Sequence, residues 1–154
     1  MQVIKSPSYE QPLPNHKRLF LAGGLFSCPN WQEIATNLLT QMGGPLTIYD
    51  PRRENFSPEC HGEQIDWETW RLNESDLVLF WFCKETLCPI TLYEFGWFLN
   101  TWNNIIVGCE PGYQRTYDVQ HRVFRKTGRY PLDNLTNLVT AAHNVLFPST
   151  CMTP

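Results

Sequence analysis

Residues 77–83 read Leu-Val-Leu-Phe-Trp-Phe-Cys, a run with no polar side chain. A strand with one face in water alternates apolar and polar residues, so this run belongs to a strand covered on both faces. It is far too short to cross a bilayer. The chain has 154 residues, the size of one domain. A strand buried from both sides in such a domain needs helices above and below it. That requirement points to a parallel sheet inside a three-layer α/β fold.

The flanking sequence has the matching rhythm. Residues 18–22 form a short apolar run stopped by Gly23-Gly24. Asn30 then precedes a helical stripe of Trp31, Ile34, Ala35, Leu38, Leu39 and Met42, with Glu33 placed to complete a capping box. Gly43-Gly44-Pro45 ends that helix, and residues 46–49 read as a second strand. A polar loop leads to a helix over 64–74, with Ile65, Trp67, Trp70 and Leu72 as apolar members. Pro89 suits the first turn of a helix reaching about residue 100. A strand at 105–107, a helix at 118–126 and a last helix from about 135 to 146 complete the series, with room for one more strand before the last helix.

This alternation predicts parallel pairing through right-handed crossovers. The expected fold is a doubly wound, flavodoxin-like sheet of about five strands in the order 2-1-3-4-5, counted from the strand at 18–22. Residues 1–16 carry three prolines and read as an extended arm, where Val3 and Ile4 offer an edge strand. Residues 17–148 form the domain and 149–154 a tail.

Composition narrows the function. Twelve basic against fifteen acidic residues give a net charge of −3, which argues against a nucleic-acid coat protein. No export signal opens the chain and no segment suits a membrane, so a soluble cytoplasmic protein is expected. The six cysteines contain no Cys-x-x-Cys pair. Reduced, mostly buried thiols and no metal are therefore expected. The four histidines are scattered and carry no assigned role. Aromatic residues make up 14% of the chain, and such rings fill cores or line pockets.

In the expected fold a ligand binds beyond the carboxyl ends of the strands, between those at 18–22 and 77–82. Gly23 and Gly24 end the first, where small residues let backbone approach a ligand. Glu94 lies about one turn into the helix after the second, among Leu92, Tyr93, Phe95 and Trp97. The helix terminus favours its ionised form, and such a carboxylate suits a nucleophile. Asp66, Glu68 and Asp76 supply further carboxylates, and two near one site can divide into nucleophile and proton donor. Trp67, Trp70, Trp81 and Trp97 fall in the same stretch as Glu68 and Glu94 and read as partly pocket wall. Arg52 and Arg53 follow the strand at 46–49, and Arg115 opens a basic cluster; guanidinium groups suit phosphate or carboxylate.

Several ordered motifs carry a family resemblance. They are Phe20-Leu-Ala-Gly-Gly-Leu, Asp50-Pro-Arg-Arg, Gln64-Ile-Asp-Trp-Glu, Ser75-Asp76, Phe80-Trp-Phe, Glu85-Thr, Glu94-Phe-Gly and Pro111-Gly-Tyr-Gln-Arg. Over about residues 17–120 the chain resembles the nucleoside 2-deoxyribosyltransferase-like family. The resemblance implies cleavage of an N-glycosidic bond in a nucleoside or nucleotide, without a cofactor, by a homo-oligomer. It casts Glu94 as the nucleophile that forms a glycosyl-enzyme, which a second base or water then resolves. It places Glu68 against the base and Gly23 and Gly24 in the sugar pocket. Phe20, Asp66, Trp67, Asp76 and Trp81 are further candidate substrate contacts. Arg52, Arg53 and Arg115 are the cations available to a nucleotide phosphate.

Two positions depart from the transferase pattern. Phe20 stands where the transferases carry a Tyr that orients the nucleophile, and Cys88 stands where they carry an Asp that holds the nucleoside. Transfer and hydrolysis both stay open. So do two other readings, a nucleotide-sensing module without turnover and a TIR-like NAD glycohydrolase.

Overall fold

The structure is a computed structural model describing residues 1–101 and 104–148. Expectations for the tail at 149–154, including Cys151, lie outside the described residues. The elements run β1 (Gln2–Lys5), β2 (Lys17–Gly23), α1 (Trp31–Met42), β3 (Leu46–Asp50), α2 (His61–Glu74), β4 (Leu77–Phe82), α3 (Pro89–Thr101), β5 (Ile105–Cys109), α4 (Thr116–Thr127) and α5 (Leu135–Leu146). A short 3₁₀ turn, Pro58–Cys60, leads into α2.

All five strands are parallel, in the order β1-β3-β2-β4-β5. The chain moves one way from β2 to β3 and the other way to β4, so the switch point lies between β2 and β4, as expected. The fifth strand is the departure. The arm supplies it at one edge, where Val3 pairs with Ile48 and Ile4 with Tyr49. The further strand before the last helix is reduced to one bridge, Gly108 with Leu132. Gly128 ends α4 in the left-handed region at φ 72°, and Pro131 lacks the N–H that a longer ladder needs.

Every residue of β4 is buried. Phe80 and Phe82 pack edge-on against Phe95 of α3, with ring centroids 5.7 and 5.5 Å apart. Trp81 points to the opposite face, beside Leu138 of α5 at Gly108. A Cβ at Gly108 would come within 2.6 Å of Leu138 and 2.7 Å of the Trp81 ring, so only glycine fits. Asn30 caps α1 as expected: its side chain accepts from the Glu33 amide at 3.3 Å and donates to the Glu33 carboxylate at 3.0 Å, a side-chain pair in place of the reciprocal backbone bond of a capping box. The stripe on α1 differs at one position. Ile34 is half exposed, while Gln32 is buried and bonds the Gly24 carbonyl.

The arm is held by a buried guanidinium. Arg71, with no exposed surface, donates to the carbonyls of Ser8 (3.2 Å) and Glu10 (2.6 Å) and to Glu74 (2.6 Å). It stacks on Trp70, 3.9 Å from the ring centroid, and faces Tyr49 at 4.8 Å. Removing such a group leaves buried acceptors unpaired and opens a cavity. Arg71→Ala is expected to lower stability by about 3 kcal/mol. Urea unfolding should show that loss, and limited proteolysis should cut within residues 6–14 sooner than in the parent protein.

Candidate active site

At the carboxyl ends of β2 and β4 lies a cleft of about 320 Å³, within the size range of small-molecule pockets. Three connections build it: Gly24–Phe26 after β2, Pro51 and Phe56 after β3, and Thr86 and Cys88 after β4. Two helices add one face each. On α2, His61, Gln64, Ile65 and Glu68 share a face at helical spacing, and on α3 Ile90, Thr91 and Glu94 do the same. The two carboxylates therefore enter one apolar cleft from separate helices.

Their environments differ. Burial pushes the Glu94 carboxyl up to about 8, and the charge of Glu68 adds to the effect. Burial also raises Glu68, but a hydrogen bond from Gln64 Nε2 to its Oε1 at 2.7 Å opposes the rise. Gln64 is itself fixed from two sides, donating to the Pro51 carbonyl (2.9 Å) and accepting from the Ser6 hydroxyl (2.6 Å). The arm thus reaches the site through Ser6, Gln64 and Glu68. The ionised Glu94 expected from its helix position is corrected here. Glu94 is the sixth residue of α3, beyond the turn where the dipole acts most strongly, so desolvation decides its state.

Gly23, Gly24 and Phe20 line the cleft. A Cβ at Gly23 would strike the Trp31 ring at 2.5 Å, and one at Gly24 would strike the Cys83 sulfur at 2.7 Å. The Gly24 carbonyl accepts from Trp31 Nε1 at 3.0 Å. Arg52 secures the same loop, donating to the Leu25 carbonyl at 2.6 Å and to Gln32 at 3.0 Å. It is thereby a loop fastener, and its guanidinium does not line the cleft.

Several candidates sit elsewhere. Arg53 pairs with Glu63 at 2.6 Å, and Arg115 is largely exposed beside Asp118. Asp76 accepts from the backbone N–H and guanidinium of Arg18 at the opposite, amino end of β4. Asp66 is exposed. Trp67 is fully buried against Phe20 and donates to the Ser8 carbonyl, because one residue along a helix turns the side chain from the cleft to the sheet. Trp81 is in the core, Trp70 stacks on Tyr9, and Trp97 is exposed. None of the four tryptophans lines the cleft. Its aromatic members are Phe20, Phe26, Phe56 and His61; Phe56 stacks on His61 with centroids 4.9 Å apart and meets Phe26 at a tilt, 5.1 Å away.

Sequence reasoning gave no role to His61, Gln64, Phe26 or Phe56. His61 and Gln64 stand seven and four residues before Glu68, a helical spacing that was readable. Phe26 and Phe56 lie on loops and carried no such signal.

A raised carboxyl pKa affects stability. Folding holds the Glu94 proton more tightly than the unfolded chain, whose ordinary value is 4.5. The contribution of this group is full below about pH 4.5, falls as pH rises to about 8, and then levels. Glu94→Gln should therefore melt increasingly above the parent as pH rises from 5 to 8, by roughly 1.4 kcal/mol per pH unit at most. Melting curves across that range check it; a gap that does not widen overturns it.

One family model, described as nucleoside 2-deoxyribosyltransferase like, matches residues 16–113. No curated protein matches the chain. The matched span holds β2 to β5 and every residue of the cleft.

Proposed function

The chain belongs to the nucleoside 2-deoxyribosyltransferase-like family, which works at family level by glycosyl transfer, and from that premise we propose that this protein cleaves the N-glycosidic bond of nucleosides through a glycosyl-enzyme on Glu94. The observation that carries this is the pairing of Glu94 and Glu68 across one apolar cleft, with their charges coupled. Glu94, once ionised, attacks the anomeric carbon as the bond to the base breaks. Its negative charge stabilises the oxocarbenium-like transition state, most effectively where water is excluded. Glu68, oriented by Gln64 and already charged when Glu94 ionises, contacts the departing base as an acceptor, and the base takes its proton from water. A second base or water then takes the sugar, with net retention.

The electrostatics favour an uncharged substrate. No Arg or Lys lines the cleft: Arg52 is committed to loop carbonyls, Arg53 to Glu63, and Arg115 points to solvent. A nucleotide or NAD would bring phosphate charge into an apolar cleft that already holds two carboxyl groups. The aromatic rings of Phe26, Phe56 and His61 suit the flat face of a base.

Incubation with a panel of nucleosides, 5′-monophosphates and NAD, with and without acceptor base, tests the reading by product analysis. Base release from nucleosides is expected, with the monophosphates at least tenfold slower. Glu94→Ala should lower the rate by at least a thousandfold while the circular dichroism spectrum stays the same. Unchanged turnover in that variant would remove Glu94 from the mechanism. Tight nucleoside binding without any product would favour the sensing module.

The acidity of Glu94 sets the pH profile. kcat/KM should rise about tenfold per pH unit below about 8 and level above it. Glu68→Gln removes the charge that raises Glu94, so the midpoint should move to lower pH even though the plateau falls. A flat profile between pH 6 and 8 contradicts Glu94 as the attacking carboxylate.

A further inference from the structure

Three thiols meet beneath the glycine loop of the cleft. The sulfurs of Cys83, at the end of β4, and Cys88, at the start of α3, are 3.9 Å apart. Cys28 lies within hydrogen-bonding reach of Cys83. Gly24 covers the cluster, its missing Cβ leaving room for the sulfurs of Cys83 and Cys28 at 2.7 and 3.0 Å. Cys83 and Cys88 are both buried, and of the three Cys88 is the one that lines the cleft. A small solute in the cleft therefore meets Cys88 first.

We propose that Cys83 and Cys88 are an oxidation site, a dithiol that closes to a reversible disulfide when a peroxide enters the cleft. The sulfurs need to approach by roughly 2 Å to reach the bond length of about 2.05 Å. Both belong to the short connection between β4 and α3. Cys88 also holds a backbone with φ 50°, a conformation costly for a residue with a side chain and open to rearrangement.

The chemistry assigns the order of events. The pKa of the Cys88 thiol is held below its ordinary range by hydrogen bonding from Cys83, against the opposing effect of burial. Burial pushes the Cys28 thiol up to about 11. Cys88 is thus the most acidic thiol of the three and the first to give a thiolate. Its sulfur attacks one peroxide oxygen, the O–O bond breaks, and hydroxide leaves to become water on protonation, giving a sulfenic acid. The Cys83 sulfur then attacks the Cys88 sulfur. The S–O bond breaks, and the oxygen leaves as water with the Cys83 proton. Two thiols are oxidised by two electrons, and one hydrogen peroxide becomes two waters. A thiol reductant reverses the bond through a mixed disulfide.

The bond would tug on the first turn of α3, since the Cys88 carbonyl accepts the Leu92 amide at 2.9 Å. Glu94 lies two residues beyond Leu92. This inference goes beyond glycosidic cleavage and stands whether or not a nucleoside is turned over.

The folded full-length protein is exposed to hydrogen peroxide, free thiols are blocked, and the protein is digested without reductant for mass spectrometry. The expected product is a Cys83–Cys88 linkage in most molecules, lost on treatment with dithiothreitol and accompanied by altered hydrogen exchange over residues 86–92. Cys83→Ala should instead stop at oxidised Cys88, without a linkage there. The proposal is overturned if both residues stay reduced, if Cys83 joins Cys28 instead, or if the linkage forms only in denaturant. The wild-type mapping decides these outcomes even if the variant does not fold.

Discussion

Strand β4 carries no polar side chain, and its two faces leave water only when helices cover both. That demand places α3 on one side and α5 on the other, and it makes β4 a central strand. Once β4 is central and parallel to β2, the chain must cross over between them, and the crossovers leave a gap at the carboxyl ends. The cleft is thus a consequence of covering one apolar strand. The side chains that close its floor, Phe20 and Ala22, come from the neighbouring strand β2.

Within the cleft the dominant effect is desolvation. The carboxyl groups of Glu68 and Glu94 face apolar surroundings and each other, and burial is the larger cause of the rise in Glu94. The molecule answers this cost unevenly. Glu68 receives a hydrogen bond from Gln64, itself clamped by Ser6 and the Pro51 carbonyl. Glu94 has no such opposing contribution, and its acidity is the weaker. Two carboxyl groups with separated proton affinities are the arrangement that acid–base and nucleophilic chemistry uses. The cations near the site are spent on structure: Arg52 fastens the loop after β2 and Arg71 fastens the arm.

Most of the fold was legible because its signals are local. The apolar run at 77–82, the stripe on α1, the cap at Asn30 and the stop at Gly43 each depend on neighbours within a few residues. The site was legible in part for the same reason, since Glu94 and the Gly23-Gly24 pair follow strands whose ends could be located. What misled was direction. Trp67 and Glu68 are adjacent in sequence but point to the sheet and the cleft respectively, so a cluster of tryptophans around the carboxylates did not become their wall. Ile34 and Gln32 exchanged the expected roles because Gln32 has the Gly24 carbonyl and Arg52 to bond in the interior.

By itself the sequence determined the order and type of the elements, the parallel sheet, and the carboxylates near the carboxyl ends of its strands. Periodicity and strand burial act over a few residues, so one chain is enough to read them. The tertiary structure alone decided that the arm becomes the fifth strand, that Asp76 belongs to Arg18 at the far end, and that Arg52 binds the protein's own carbonyls and Arg53 the Glu63 carboxylate. It also decided the proton affinity of Glu94 and the meeting of Cys28, Cys83 and Cys88. These depend on which distant groups come within a few ångströms and on how much water they exclude, and neither quantity is written in any local stretch of the chain.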